Sequence, residues 1–242
     1  MLNIQNGFFI PLEYEIKLWS RIKWINFNIM GKIKQNLFGG FSGKVGPIVG
    51  GTWKSVNYIR AKAAKVSNPR TEKQQNQRGK FAIAFNFLKS IAPFIRIGYQ
   101  TYAQEKTPFN AAMSYMLKKA IKSDETGAII DFKRVMVSTG SLMPVFEGKA
   151  TKKNCNMLFD WVDNSGMGNA ETSDVAMLLV YNKDKETAVY NTIAAIRSDA
   201  HAELALPENW DDDELFPYLS FINAEGDSVA NSICLSLSAR TK

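Results

Sequence analysis

Histidine, cysteine and long apolar runs are what this 242-residue chain has least of. A single histidine, His201, excludes multi-histidine metal sites and leaves any serine or cysteine triad one candidate base. No neighbour in sequence completes such a triad, and alternation with Glu203 on a predicted strand makes His201 an exposed polar position. Two cysteines occur, Cys155 and Cys234. Strand alternation puts Cys155 on a face with Met157, Phe159 and Trp161, and Cys234 with Ser232 and Ser236, opposite Ile233 and Leu235. A bridge between them is not expected, which suits a reducing compartment. No stretch approaches the roughly 20 apolar residues that a membrane span needs. Glu13, Glu15, Lys17, Arg21 and Lys23 also deny the first 29 residues the core of a secretory signal. The expectation is a cytoplasmic protein without membrane insertion.

Acidic residues are nearly missing from the front half. Residues 1–122 hold 20 Lys or Arg against 4 Asp or Glu, whereas residues 123–242 hold 10 against 19. The net +7 therefore hides a split of +16 and −9. Such a split asks for an acidic partner for the front half: nucleic acid, an anionic surface, another protein or the back half of another copy. A merely solvated basic face is the plainer alternative.

The rest of the composition, 45% hydrophobic and 22% charged, is that of a folded protein with room for two modest domains. Met30 is followed at once by Gly31, Lys32 and a change of composition, which points to residues 1–29 as an extension upstream of the natural start. The rival reading is an amphipathic helix over 13–29 with Leu18, Ile22 and Ile25 on one face. Residues 30–126 read as a basic α+β module and 127–242 as an acidic β-sandwich.

Between 31 and 66, glycines (Gly39, Gly40, Gly43, Gly46, Gly50, Gly51) alternate with aliphatic and aromatic residues, the pattern of two or three short strands joined by tight turns. Ser67-Asn68-Pro69 then predicts a helix start. Phe81, Ala84, Phe85, Leu88, Ile91 and Ala92 give that helix an apolar stripe, and Pro93 ends or kinks it. Thr107-Pro108 starts a second helix, in which Phe109, Ala112, Met113, Met116, Leu117, Ala120 and Ile121 recur at helical spacing. Lys118, Lys119 and Lys122 suit its carbonyl end.

From residue 127 the period becomes two. Seven strands are predicted, over 129–137, 154–162, 175–181, 187–196, 201–206, 216–222 and 229–237, the spacing of a sandwich. The early Trp161 and the late hairpin Tyr218 to Ser228 resemble a fibronectin type III module over residues 145–238. That resemblance implies an Ig-like antiparallel sandwich with Trp161 and Tyr218 in its core. The string Gly40-Phe41-Ser42-Gly43-Lys44-Val45-Gly46, with Trp53-Lys54, Arg60, Asn68-Pro69-Arg70-Thr71, Gln77-Arg78, Phe109-Asn110-Ala111-Ala112 and Trp161-Val162-Asp163-Asn164, resembles more than a module. It is similar to an uncharacterised Bacteroidota family catalogued as domain of unknown function 6266. The likeness runs from about residue 30 onward and implies no activity.

Few residues form a chemical constellation. Gly39 to Val45 mimics a phosphate loop but fails its spacing, with Phe38 and Val45 at positions that need glycine and a hydroxyl. Asp163, Ser165, Gly168 and Asp174 fall on a calcium-loop template, yet Met167 stands where an oxygen is needed. Asp211, Asp212, Asp213 and Glu214 read as a solvated turn. No catalytic, cofactor-binding or metal-binding residue is nominated. The strongest lead is a basic patch, Lys54, Arg60, Lys62, Lys65, Arg70, Lys73, Arg78 and Lys80, beside Trp53 and Tyr58. The resulting expectation is a non-catalytic binding or assembly protein working by charge complementarity between its halves. Nucleic-acid binding through residues 54–80 is the alternative, and an enzyme the third.

Overall fold

A computed structural model describes residues 30–32, 42–53, 56–64, 70–102, 106–124 and 127–237. The extension 1–29 and the phosphate-loop mimic at Gly39 and Gly40 lie outside them. The chain divides into two compact units, Met1–Asn68 and Pro69–Lys242.

In the first unit the glycine-rich stretch forms four strands, β1 (Met30–Lys32), β2 (Gly43–Val45), β3 (Ile48–Trp53) and β4 (Val56–Ala61). They pair antiparallel in the order β1-β4-β3-β2, one strand more than the glycine spacing implied. Val45 and Ile48 close the β2–β3 hairpin around Gly46-Pro47, where Gly46 takes φ +55°, open to glycine at little cost. Across residues 42–53 and 56–64 only Gly50 is buried, so no side-chain core forms among them.

The second unit begins with α1 (Glu72–Ser90), α2 (Ala92–Gly98) and α3 (Pro108–Tyr115). The first helix starts at Glu72 with Thr71 at the cap position, later than Pro69 implied; Pro69 itself lies outside the described residues. Pro93 falls in the first turn of α2, and the chain bends by 87° between α1 and α2. Thr107 caps α3 by accepting the Asn110 N–H at 3.2 Å, as its sequence predicts. The helix then widens into a π turn, Met116–Ala120, which keeps Met116 and Ala120 buried. A hairpin follows, β5 (Ile121–Asp124) and β6 (Gly127–Ile130).

Seven further strands complete the chain: β7 (Phe146–Lys153), β8 (Asn156–Val162), β9 (Val175–Asn182), β10 (Thr187–Asn191), β11 (His201–Ala205), β12 (Leu215–Ile222) and β13 (Ile233–Cys234). They form two antiparallel sheets, β11-β8-β7 and β10-β9-β12-β13. Four predictions need correction, the first being the strand over 187–196, which ends at Asn191. The strand over 129–137 stops at Ile130 and gives way to a 3-10 turn, Phe132–Arg134. The strand over 229–237 shrinks to Ile233–Cys234, and β7 was missed because its residues, FEGKATKK, have no regular alternation.

Strands β9 and β12 lie at the centre of this unit and are buried on both faces. One face of β9 (Ala176, Leu178, Val180) and of β12 (Leu215, Leu219, Phe221) meets Met157, Phe159 and Trp161 of the other sheet. The opposite face (Met177, Leu179, Tyr181, Tyr218) packs against Phe87, Leu88, Ile91, Phe94, Ile95, Met113 and Met116 of the helices. This explains the nearly unbroken apolar run of β9, the signature of a doubly covered strand. It also corrects the expected boundary between 126 and 127: the helices share a core with the sandwich, and the chain divides at Asn68/Pro69 instead.

Among the described residues no single helix is long and apolar enough to cross a membrane. The bent pair α1 and α2 passes that test jointly, but its apolar side is the one buried against β9 and β12.

Candidate binding surfaces

The described members of the predicted basic patch are divided between the two units. Lys54 and Lys65 lie outside the described residues. Arg60 stands exposed on β4, and Lys62, just beyond it, donates its backbone N–H to Pro47 at 2.7 Å. Arg70 precedes α1, while Lys73, Arg78 and Lys80 follow along it. Lys73 and Lys80, seven residues apart, share one side of the helix; Arg78 is turned about 140° from Lys73. There it lines a shallow recess with Gln74, Gln77, Phe81 and Ala82.

Phe81 and Phe85 were expected in the core but are 49% and 41% exposed. The buried stripe of α1 is centred on Ala84, Leu88 and Phe87, and Phe85 lies about 100° round from Ala84. The two rings stack at 6.4 Å, and Phe85 meets Phe109 edge-on at 5.6 Å.

Register sorts the first unit's sheet into two unlike faces. Cross-strand partners share a face, so Lys44, Val49 and Arg60 form one row, Gly51 and Tyr58 the next, and Trp53 and Val56 the last. The other face carries Val45, Ile48 and Ala61, then Gly43, Gly50 and Ile59, then Thr52 and Asn57, with no charge among these described positions. One face is basic and aromatic; the other is apolar and small. The glycine spacing in the sequence revealed the strands but not this partition, which needs the pairing register.

In the second unit a groove of about 480 Å³ runs between α1, the β6 end and the β9/β12 edge. Its floor is an aromatic cluster in which Phe132 stacks on Phe216 at 4.2 Å and Phe87 meets Tyr181 edge-on at 4.7 Å. Burial pushes the Tyr181 hydroxyl up to about 12. The rim mixes signs: Lys183 pairs with Glu214 at 2.5 Å, and Asp131 with Lys122 at 2.6 Å, which holds the Asp131 carboxyl below its ordinary range. Sequence reasoning missed this groove, because its residues come from four separate segments.

The remaining polar candidates are tied into the scaffold. Asp174, the last position of the calcium template, is buried and bound to the Arg197 Nε at 2.9 Å, far from a ligand's role. Asp163 instead caps its own turn by accepting the Ser165 N–H at 2.9 Å. Arg197 is fully buried, donates to Asn164 at 2.5 Å and to the Met143 carbonyl at 2.9 Å, and lies 3.8 Å over the Phe221 ring. His201 is exposed and bonds Asp160 through Nδ1 at 2.7 Å. That hydrogen bond, with Glu203 on the other side, raises its pKa above the ordinary value. The acidic turn is paired as well, Asp211 with Lys152 at 3.4 Å and Asp213 with Lys185 at 2.6 Å. Both cysteines are free and stand at opposite sheets, Cys155 before β8 and Cys234 in β13 beside Tyr218. Among the described residues no three His, Cys, Asp or Glu side chains gather as a metal site would require.

Geometry defines an α+β protein with helices, a four-stranded sheet and a three-stranded sheet in successive layers, plus a separate basic β-unit. Residues 40–236 match the family of unknown function DUF6266, and the chain belongs to that family. Among solved structures it is similar to the fn3 domain of the human collagen alpha-1(XX) chain, at 11% identity over 43% of this chain and 97% of that one, with a TM-score of 0.29. No curated protein matches the sequence.

Proposed function

We propose that this protein is a non-catalytic binding and assembly component, in which a helix-braced, Ig-like or fibronectin III-like sandwich carries a basic β-unit that docks on an acidic partner. The acidic half of another copy supplies one such surface. The observation that carries this reading is the state of the first unit's sheet: Val45, Ile48, Trp53 and Val56 are 64%, 41%, 56% and 45% exposed. Small sheets gain stability by covering an apolar face, and exposed apolar groups rimmed by charge mark interaction surfaces. Residues 30–71 add eight Lys or Arg and no Asp or Glu, so the favoured partner is anionic.

The Ig-like assignment is supported by the division of seven strands into three and four, with the chain crossing between sheets at β8–β9, β10–β11 and β11–β12. A basic unit on an acidic half gives a head-to-tail contact, which closes into rings or runs on as filaments. Two unbridged cysteines at opposite sheets suit a reducing, cytoplasmic setting.

Size-exclusion chromatography with light scattering at low and high salt tests the proposal. Wild-type protein grows beyond monomer mass at low salt, and Lys44→Glu/Arg60→Glu/Lys62→Glu remains monomeric. Equal behaviour of the two proteins would remove the basic unit from any assembly contact.

A further inference from the structure

We infer that the Tyr58 face of the first unit's sheet is a platform for single-stranded nucleic acid. The inference rests on the reading that the basic β-unit is the binding element. It assigns a polynucleotide to that unit's charged face, where it competes with the acidic half of another copy.

Three observations converge on this face. Register brings Lys44 and Arg60 into one row and sets Tyr58 and Trp53 in the two rows beside it. Tyr58 and Trp53 are thus diagonal neighbours on adjacent strands, about 7–8 Å apart, far enough to receive separate bases. The Tyr58 ring lies down across Gly51, where an added Cβ would come within 2.7 Å of its hydroxyl and 2.8 Å of Cζ. Glycine at this position is what lets the ring lie flat, with its outer surface available for stacking. Trp53 is more than half exposed at the end of the same face.

An acidic protein surface would be served by the cations alone and has no use for a flat phenol beside an open indole. Bases have that use, since each offers a π face whatever its identity, while Lys and Arg follow the phosphates. A duplex fits poorly because its bases are already stacked inside. The expected binding is therefore selective for single strands and tolerant of sequence.

The test is fluorescence anisotropy of a labelled thymidine oligonucleotide of about 12 residues with the full chain, since OB-type sites span roughly 4–16 nucleotides. The oligonucleotide binds, a duplex of equal length binds more weakly, and affinity falls with salt at a log–log slope of about −2 for the contacts of Lys44, Arg60 and Lys62. Trp53→Leu and Tyr58→Leu each weaken binding about tenfold or more. Trp53→Phe, which keeps a ring, retains most of it, and circular dichroism confirms that each variant keeps its strands. Polyglutamate competing as well as the oligonucleotide, with the leucine variants unchanged, overturns the inference and leaves the basic unit as a docking surface for acidic protein. Absence of both oligonucleotide binding and salt-dependent self-association overturns the inference and the proposed function together.

Discussion

Replacing Arg197 by leucine removes the hub of the sandwich's one fully buried ion pair among the described residues. In the native fold the guanidinium donates to Asp174, Asn164 and the Met143 carbonyl, and stacks on Phe221. The Trp161 indole N–H bonds the Arg197 carbonyl at 2.8 Å, so the backbone is held independently of the side chain. Without the guanidinium, Asp174 keeps the Glu171 N–H on Oδ2 at 2.9 Å, while Oδ1 already lacks a protein partner. Breaking a buried pair from one side costs about 3–5 kcal/mol. The orphaned Asn164 and Met143 oxygens add about 1–2 kcal/mol between them. Arg197→Leu is therefore expected to lower stability by about 4 kcal/mol or more in urea denaturation followed by near-ultraviolet circular dichroism. Arg197→Leu/Asp174→Leu removes the stranded carboxylate and recovers at least about 2 kcal/mol, because replacing both partners is far cheaper than removing one. A loss below about 1 kcal/mol for Arg197→Leu, within the range of surface substitutions, would refute the reasoning.

Two further predictions concern titrating groups. Burial pushes the Cys234 thiol up to about 11, so at pH 8 a thiol reagent modifies Cys155 first and Cys234 slowly. Rapid modification of both in the native protein contradicts this. His201 has a raised pKa, and as the only histidine it gives one unambiguous NMR titration. Its midpoint lies above 6.5 and drops in Asp160→Asn; a wild-type midpoint at or below 6.5 counts against the pairing. The sign follows from linkage. The stabilising contribution is full below the unfolded-state value of about 6.5 and is lost as pH rises through the raised folded one, so the His201–Asp160 tie weakens as pH climbs above about 6.5.

Local chemistry was legible in the sequence where one short segment decides the outcome. Thr107-Pro108 starts α3 because the cap needs only the Asn110 N–H, and Gly46 makes a turn because its own φ demands it. Trp161 and Tyr218 are buried, where the fibronectin type III resemblance put them. What stayed hidden depends on distant pairing. The apolar runs of β9 and β12 fit a sandwich core, but only the packed helices show that both faces are covered, which is why the boundary at 126 was misplaced. The basic patch was read as one stretch because its residues are close in sequence. In the fold, Arg60 and Lys62 belong to one unit and Lys73, Arg78 and Lys80 to another, while Lys44 joins Arg60 through the β2–β3–β4 register. The partner of Asp174 was hidden for a related reason: it is Arg197, 23 residues on.

The most direct test of the central claim is hydrogen exchange of the full chain in low salt, compared between dilute and concentrated protein. If the basic β-unit is the docking element, backbone amides of β2, β3 and β4 gain protection at high concentration, together with a patch in the acidic half, and lose it when salt is added. Unchanged exchange across residues 43–61, or protection confined to the second unit, would contradict it.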